Sequence, residues 1–186
     1  MRDIVYMVHT SLDGCVEGPN GEFDWPVMGP ELSGHSQEMT ERCGEFAYGR
    51  KVWDMMAGFW PTAETVSDHP HDIAFAPVWR ETPKIVFSRT LEKADWNTRV
   101  VGGALPEVVA SLKAEPGKDV LLMGGAELAA ALTADGLIDE YLVFVHPVVL
   151  GGGKRPFADG TARLGLELVE SRTFDGRVVL LRFRRA

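Results

Sequence analysis

The chain has 186 residues, 45% hydrophobic and 25% charged, the balance of one ordinary globular domain able to bury a core without a disulfide or metal staple. A net charge of −8 and a pI near 5.1 argue against a nucleic-acid or anionic-membrane partner, which needs clustered Lys and Arg to neutralise its phosphates. A small anionic ligand, held by two or three placed cations, remains compatible with that charge.

The opening MRDIVYMVHT is too short an apolar run for a secretory signal, and no 18 apolar residues occur in a row, so the expected location is the cytoplasm. Residues 4–9 read as a buried strand. A polar loop over 10–30 follows, with turn signals at Asp13-Gly14 and Asn20-Gly21; a loop of that length in a compact domain is usually functional. Cys15 within it and Cys43 fit no CxxC or zinc spacing and read as small buried residues. A helix is predicted over 31–44, then a short strand ending at Gly49 and a helix over 50–57. Residues 58–72, bearing prolines and histidines, read as loop. His69, Pro70, His71 and Asp72 lack a third placed ligand, so no metal is expected there.

A helix over 73–80 leads to a strand at 84–88, a loop through Trp96 and a strand at RVVGG. The segment 105–113 reads as helix, DVLLMGG as strand and 126–134 as helix. Residues 139–150 form a long β-branched and aromatic strand pattern, which would bury His146 as a core or edge histidine. Strands at 164–171 and 178–184, joined through Asp175-Gly176, close the chain as an antiparallel pair. No linker divides it, so 1–186 is read as a single domain. The class is α/β: a mostly parallel central sheet, helices on both faces, antiparallel strands at the C-terminal edge.

Chemistry enters at the strand ends. Gly124 and Gly125 sit between a strand and a helix, where free N–H groups and the dipole favour a phosphate and glycine lets it approach. They also fit a plain tight turn. GRK at 49–51 and SRT at 88–90 follow two other strands. In a doubly wound sheet Arg50, Lys51, Ser88 and Arg89 share one edge with the glycine pair. Fork-like arginines with a hydroxyl suit a monophosphate and the glycines a pyrophosphate, which together describe NADP. G-x-G-x-x-G, Walker A and G-x-S-x-G patterns are absent from the sequence.

SLDG (11–14), YGRKVWD (48–54), VFSRTL (86–91), LLMGGAEL (121–128) and HPVVLGGGKRPF (146–157) occur in one order along nearly the whole chain. In that ordered set the protein resembles the dihydrofolate reductase-like superfamily, specifically stand-alone relatives of the C-terminal reductase domain of the riboflavin-biosynthesis deaminase–reductase. The resemblance implies that Gly49, Arg50, Lys51, Ser88 and Arg89 hold the adenosine 2′-phosphate of NADPH. It implies that Gly124 and Gly125, with Ala126 and Glu127 opening the helix, hold the pyrophosphate, and that Gly102 and Gly103 lie towards the adenine. Val16 and Trp25 fall on a loop like the mobile one that closes over the nicotinamide, and Gly151 and Gly152 lie near nicotinamide or substrate. Met123 stands where the riboflavin-pathway reductases usually carry Glu. No acid clearly takes the pterin-binding helix position, although Glu31, Glu38 and Glu41 are available.

The expected activity is hydride transfer from NADPH to a small heterocyclic or imine/carbonyl substrate, resembling 5-amino-6-(5-phosphoribosylamino)uracil reduction. The alternatives are a dihydrofolate or pterin reductase and a non-catalytic NADP-binding module. Asp13 is the candidate for substrate contact or proton delivery, and equally an Asp-Gly turn residue; Ser11 could hydrogen-bond nearby. A homodimer is expected from the apolar strand at 141–150 and the terminal strands, with no nucleic-acid or membrane partner.

Overall fold

The structure is a computed structural model that describes residues 1–157 and 163–186. Its strands are β1 (Ile4–Thr10), β2 (Glu45–Gly49), β3 (Lys84–Phe87), β4 (Thr98–Val101), β5 (Val120–Met123), β6 (Glu140–Val145), β7 (Leu166–Phe174) and β8 (Val178–Arg185). The helices are α1 (Pro30–Cys43), α2 (Arg50–Phe59), α3 (Ala63–Val66), α4 (Pro70–Glu81), α5 (Leu105–Ala114) and α6 (Ala126–Ala134). One sheet holds all eight strands in the order β4-β3-β2-β5-β1-β6-β8-β7. The first six in that row are parallel; β8 runs antiparallel to both β6 and β7.

The period-two alternation of the strands builds two cores. In β1, Val5 and Met7 pack with Leu32, Met39, Phe75 and Trp79 beneath α1 and α4. Ile4, Tyr6 and Val8 point the other way, onto Val109, Leu112, Ala129 and Leu132 of α5 and α6. Connection handedness explains the division. From β1 to β4 the chain steps one way along the sheet with its helices on one face. From β4 to β6 it steps back, and a right-handed crossover then requires the opposite face. The helix after β5 therefore leaves on the other side from those after its neighbours β2 and β1. Such a reversal opens a crevice at the strand C-termini.

The two sheet edges differ chemically. At the N-terminal edge the buried Glu140 carboxylate takes Arg42 at 2.6 Å, Arg182 at 2.9 Å and Arg184 at 3.1 Å. Burial alone would raise that carboxyl, but Arg42 and Arg182 outweigh it and hold it at about 2. Arg2 pairs with Glu45 at 2.5 Å, and Arg99 with Glu115 at 2.7 Å, on the same edge. The C-terminal edge carries glycine turns instead.

Two sequence expectations are corrected. Residues 58–72 are mostly helical: α2 runs to Phe59, a 3₁₀ turn covers Trp60–Thr62, α3 follows, and α4 already begins at Pro70. Pro61 and Pro70 occupy the first turns of helical segments, where a missing N–H costs nothing. The ring nitrogen of His69 caps α4 by accepting the His71 N–H, and Trp60 packs edge-on to Phe75 at 4.8 Å. The strand predicted over 139–150 stops at Val145. His146 still donates its N–H to Thr10, but Pro147 has none to give and Val148 folds back onto the His146 carbonyl at 2.8 Å.

The N-terminus of α1 is finished from the far end of the chain. Asp175, in the β7–β8 turn, accepts the N–H groups of Glu31 at 3.0 Å and Leu32 at 3.2 Å, and the Glu31 carboxylate accepts the Asp175 N–H in return. Among the described residues no helix is long and apolar enough to cross a membrane.

Candidate functional site

At the C-terminal edge, β2 and β5 are neighbours, and the helices that follow them start side by side. Gly49 is the N-cap of α2 and Gly125 the N-cap of α6; neither helix start has a side-chain cap. Their first N–H groups are thus left for something outside the helix. Gly124 at φ 84° and Gly125 at φ 90° hold a conformation that side chains rarely adopt. A Cβ on Gly125 would also stand 3.4 Å from the Gly49 nitrogen. The glycines make a tight turn and expose two positive helix ends at one point.

The cations flank that point. Gly49 pairs in register with Phe87, so Arg50 and Ser88 leave the sheet from adjoining strand ends. Arg50 is exposed and forms an i,i+4 pair with Asp54 at 2.8 Å, the kind of surface bridge that holds a side chain only weakly. The Ser88 hydroxyl accepts the N–H groups of Thr90 at 3.3 Å and Leu91 at 3.0 Å, shaping the turn that presents the exposed Arg89. Gly102 lets that turn close down: a Cβ there would meet the Ser88 carbonyl oxygen at 3.0 Å. Lys51 is committed to Glu127 at 3.0 Å, and Lys154, which the sequence reading passed over, binds the same carboxylate oxygen at 2.9 Å. Glu127, opening α6 behind Ala126, thereby ties α2 and α6 to the loop after β6.

That loop is also laced to the one after β1. Leu12 donates to the Val148 carbonyl at 2.7 Å and Val16 to that of Lys154 at 2.7 Å. The Asp13 carboxylate accepts the N–H groups of Leu150 at 3.1 Å and Gly151 at 2.9 Å. The Ser11 hydroxyl, then those backbone donors, hold Asp13 at about 2. Of the roles expected for Asp13, the geometry displays the turn residue: its carboxylate fixes the backbone ahead of Gly151 and Gly152. Ser11 is buried and its Oγ also accepts the Cys15 N–H at 2.9 Å. Met123 lies beneath the glycine turn, its sulfur accepting the Tyr48 hydroxyl.

Past β1 the same edge carries a histidine pair. Nδ1 of His9 and Nε2 of His146 are 2.8 Å apart, and His9 stacks on Phe144 at 4.9 Å. Trp25, from the long loop, stands edge-on to His146 at 5.4 Å. Burial lowers His9 to about 3 and His146 to about 4, so both rings are neutral at pH 7. The sequence reads His146 as a core or edge histidine within a strand; it is buried, one residue past the end of β6, and nothing in the sequence pointed to His9 as its partner. A larger cleft of about 390 Å³ lies at the opposite edge around Lys84 and Trp96. There the Lys84 ammonium is already taken by the carbonyls of Thr82 at 2.7 Å and Trp96 at 2.8 Å.

A family model described as the RibD C-terminal domain matches residues 2–180. The chain belongs to the RibD C-terminal domain family. The uncharacterized protein YyaP of Bacillus subtilis (strain 168) is 36% identical over 178 residues, covering 96% of this chain and 92% of its own. A crystal structure named for riboflavin biosynthesis, from Shewanella sp. PV-4, superposes with a TM-score of 0.77 at 23% identity, over 99% of each chain. A Thermotoga maritima deaminase/5-amino-6-(5-phosphoribosylamino)uracil reductase gives 0.70 at 15% identity, over all of this chain and 57% of that one. Dihydrofolate reductase from Enterococcus faecalis, complexed with NADP(H), gives 0.63 at 9% identity, over 98% and 96%. At these identities the structures establish the fold of the RibD C-terminal domain, which is dihydrofolate reductase-like. The five motifs that suggested the family fall on the loops and helix starts of its C-terminal edge.

Proposed function

We propose that this RibD C-terminal domain is an NADPH-dependent reductase of a small planar heterocyclic or imine/carbonyl substrate. The observation that carries the reading is the meeting of two uncapped helix N-termini at Gly49 and Gly125, where a Cβ on Gly125 would stand 3.4 Å from the Gly49 nitrogen. A pyrophosphate fits such a place through backbone N–H groups and aligned dipoles. Arg50, Ser88 and Arg89, one and two strands further along, would hold the 2′-phosphate. The NADP(H) bound by the Enterococcus dihydrofolate reductase supports the choice of nucleotide.

NADPH supplies the hydride. The chain's own work is then to bind, orient and exclude water. The α2 and α6 amides and the arginines fix the nucleotide. Asp13 sets the backbone of Leu150 and Gly151 where the loops after β1 and β6 meet. Trp25 covers His146 from solvent. The Thermotoga reductase supports a pyrimidine-type acceptor; Met123, which brings no charge below the glycine turn, points away from a copy of that enzyme's substrate contacts.

Calorimetric titration of the purified chain tests the nucleotide: NADPH should bind at least tenfold tighter than NADH. Equal affinities would remove the 2′-phosphate site and this reading with it. We also propose that a second copy pairs at β7, an edge strand with Leu168 58% and Val169 49% exposed. Light scattering should give a dimer, and Leu168→Lys a monomer.

A further inference from the structure

We propose that the Glu127 carboxylate is a built-in stand-in for a phosphate: it holds Lys51 and Lys154 until the nucleotide arrives, and both lysines then pass to the pyrophosphate. The inference rests on the reductase reading and adds to it one contact, Lys154, and one competitor, Glu127. A single atom, Glu127 Oε1, accepts Lys51 Nζ at 3.0 Å and Lys154 Nζ at 2.9 Å. The three residues come from three places in the chain: the second residue of α2, the second of α6, and the loop after β6.

The charges stand where the helices alone would not put them. α2 opens with Arg50 and Lys51 and has no acid in its first turn, although a helix start is the positive end of its dipole and repels cations. Its N-cap, Gly49, supplies no side-chain acceptor, and Gly125 supplies none to α6. A local rule broken in this way, with no gain to the fold, marks a functional place. Glu127 answers it only in part, since one carboxylate oxygen serves two ammonium groups. Lys154 and then Lys51 hold that carboxyl below the usual carboxylate range, so it is ionised at neutral pH.

The arrangement is built to be exchanged. All three side chains are exposed, Lys51 at 81% and Glu127 at 65%, and surface pairs of this kind hold their members weakly. Lys51 and Glu127 each follow by two residues the junction where Gly49 and Gly125 meet. A pyrophosphate seated there brings more charge and more acceptor oxygens than a carboxylate, and it meets the free helix amides as well. Once displaced, the Glu127 carboxylate is a negative charge beside the phosphate and opposes it, so affinity is lower than the lysines alone would set. Lys154 reaches the group from a backbone bridged to Glu17: its N–H donates to the Glu17 carbonyl at 3.1 Å, and its carbonyl accepts the Val16 N–H at 2.7 Å. That is why no helix-start motif marks it.

Calorimetric titration of the full chain with NADPH, NADH and 2′-AMP tests the exchange, the last carrying the tail phosphate without the pyrophosphate. Glu127→Gln should tighten NADPH and NADH alike, by about threefold or more, with 2′-AMP changed by less than about twofold and the melting curve unaltered. Lys154→Gln should weaken both dinucleotides by about threefold or more, with the ratio between them unchanged. The gain from Glu127→Gln should shrink as salt is added. A carboxylate that only ties α6 to its neighbours predicts the opposite sign, so weaker or unchanged dinucleotide binding by Glu127→Gln would overturn the proposal. So would an equal gain for 2′-AMP, which would reduce the effect to one lost charge near the edge, or a Lys154→Gln variant that binds as the wild type does. In each of these cases NADPH binding by the wild type leaves the reductase reading standing. No binding of either dinucleotide overturns that reading and the exchange with it.

Discussion

A Cβ on Gly125 would lie 3.4 Å from the backbone nitrogen of Gly49, although the two glycines are separated by most of two crossover units. The contact joins the starts of α2 and α6, and a methyl there would rest against the Gly49 backbone. Gly125→Ala should cost about 1–2 kcal/mol in stability from the positive φ alone. It should also weaken NADPH by more than tenfold, because the methyl would stand beside the amides that receive the phosphate. Denaturant unfolding and calorimetry on the same variant read the two effects separately.

The double variant Arg50→Ala/Arg89→Ala should weaken NADPH far more than NADH. Each arginine that meets the 2′-phosphate makes a charge-assisted contact of about 1.5–3 kcal/mol, absent with NADH. Equal losses for the two nucleotides would contradict the assignment. Arg50 must first leave Asp54, an exposed pair that offers little resistance.

Stability should fall on acidification from about pH 6.5, ahead of ordinary carboxylate titration. His9 and His146 are lowered to about 3 and about 4, and burial lowers His71 as well. In the unfolded chain these rings protonate near pH 6.5, so between there and pH 4 the unfolded state binds more protons and gains population. The stability is fully present above pH 6.5 and is lost as pH falls, at up to about 1.4 kcal/mol per pH unit for each ring. Below pH 4.5, Glu140 adds a loss of the same sign. Urea midpoints of wild type and His9→Gln between pH 7 and 5 should differ in slope, the variant being flatter.

Asp13→Asn should leave the shape of any pH–rate profile above pH 4 unchanged, because the carboxylate does not titrate there. Its effect should show in exchange of the Leu150 and Gly151 amides, which lose a charged acceptor. A lost limb in the profile would restore Asp13 as the proton donor.

Glu140→Ala should destabilise the chain by about 1–3 kcal/mol, since it removes the buried carboxylate that Arg42 and Arg182 share and leaves them only the longer pairs with Asp119 and Glu170. Thermal unfolding measures it. Nucleotide affinity should not follow, because Glu140 stands at the opposite end of the strands.

What the sequence disclosed was local. The helix predicted over 126–134 is α6 as observed, because a glycine pair with positive φ and an alanine-rich run announce themselves within ten residues. The boundary at Gly49 was legible for the same reason. The end of β6 was not: Val145 closes the strand because β1 ends at Thr10 opposite it, a fact held by another element. The helical 58–72 segment was hidden because proline reads as a breaker unless its place in the first turn is known. At the site, the glycines and arginines were visible. The use of Asp13 on amides 137 residues away, and of Glu127 on Lys51 and Lys154, was not, since only folding brings those groups together.

The reciprocal contact between Asp175 and Glu31 spans 144 residues. During synthesis the first amides of α1 leave the ribosome long before the acid that completes them, so the helix over the nascent sheet stays unfinished until the β7–β8 turn has emerged. The β7–β8 turn acts as a late latch, and a messenger truncated before it would yield a product with the front of that helix open to chaperones and proteases.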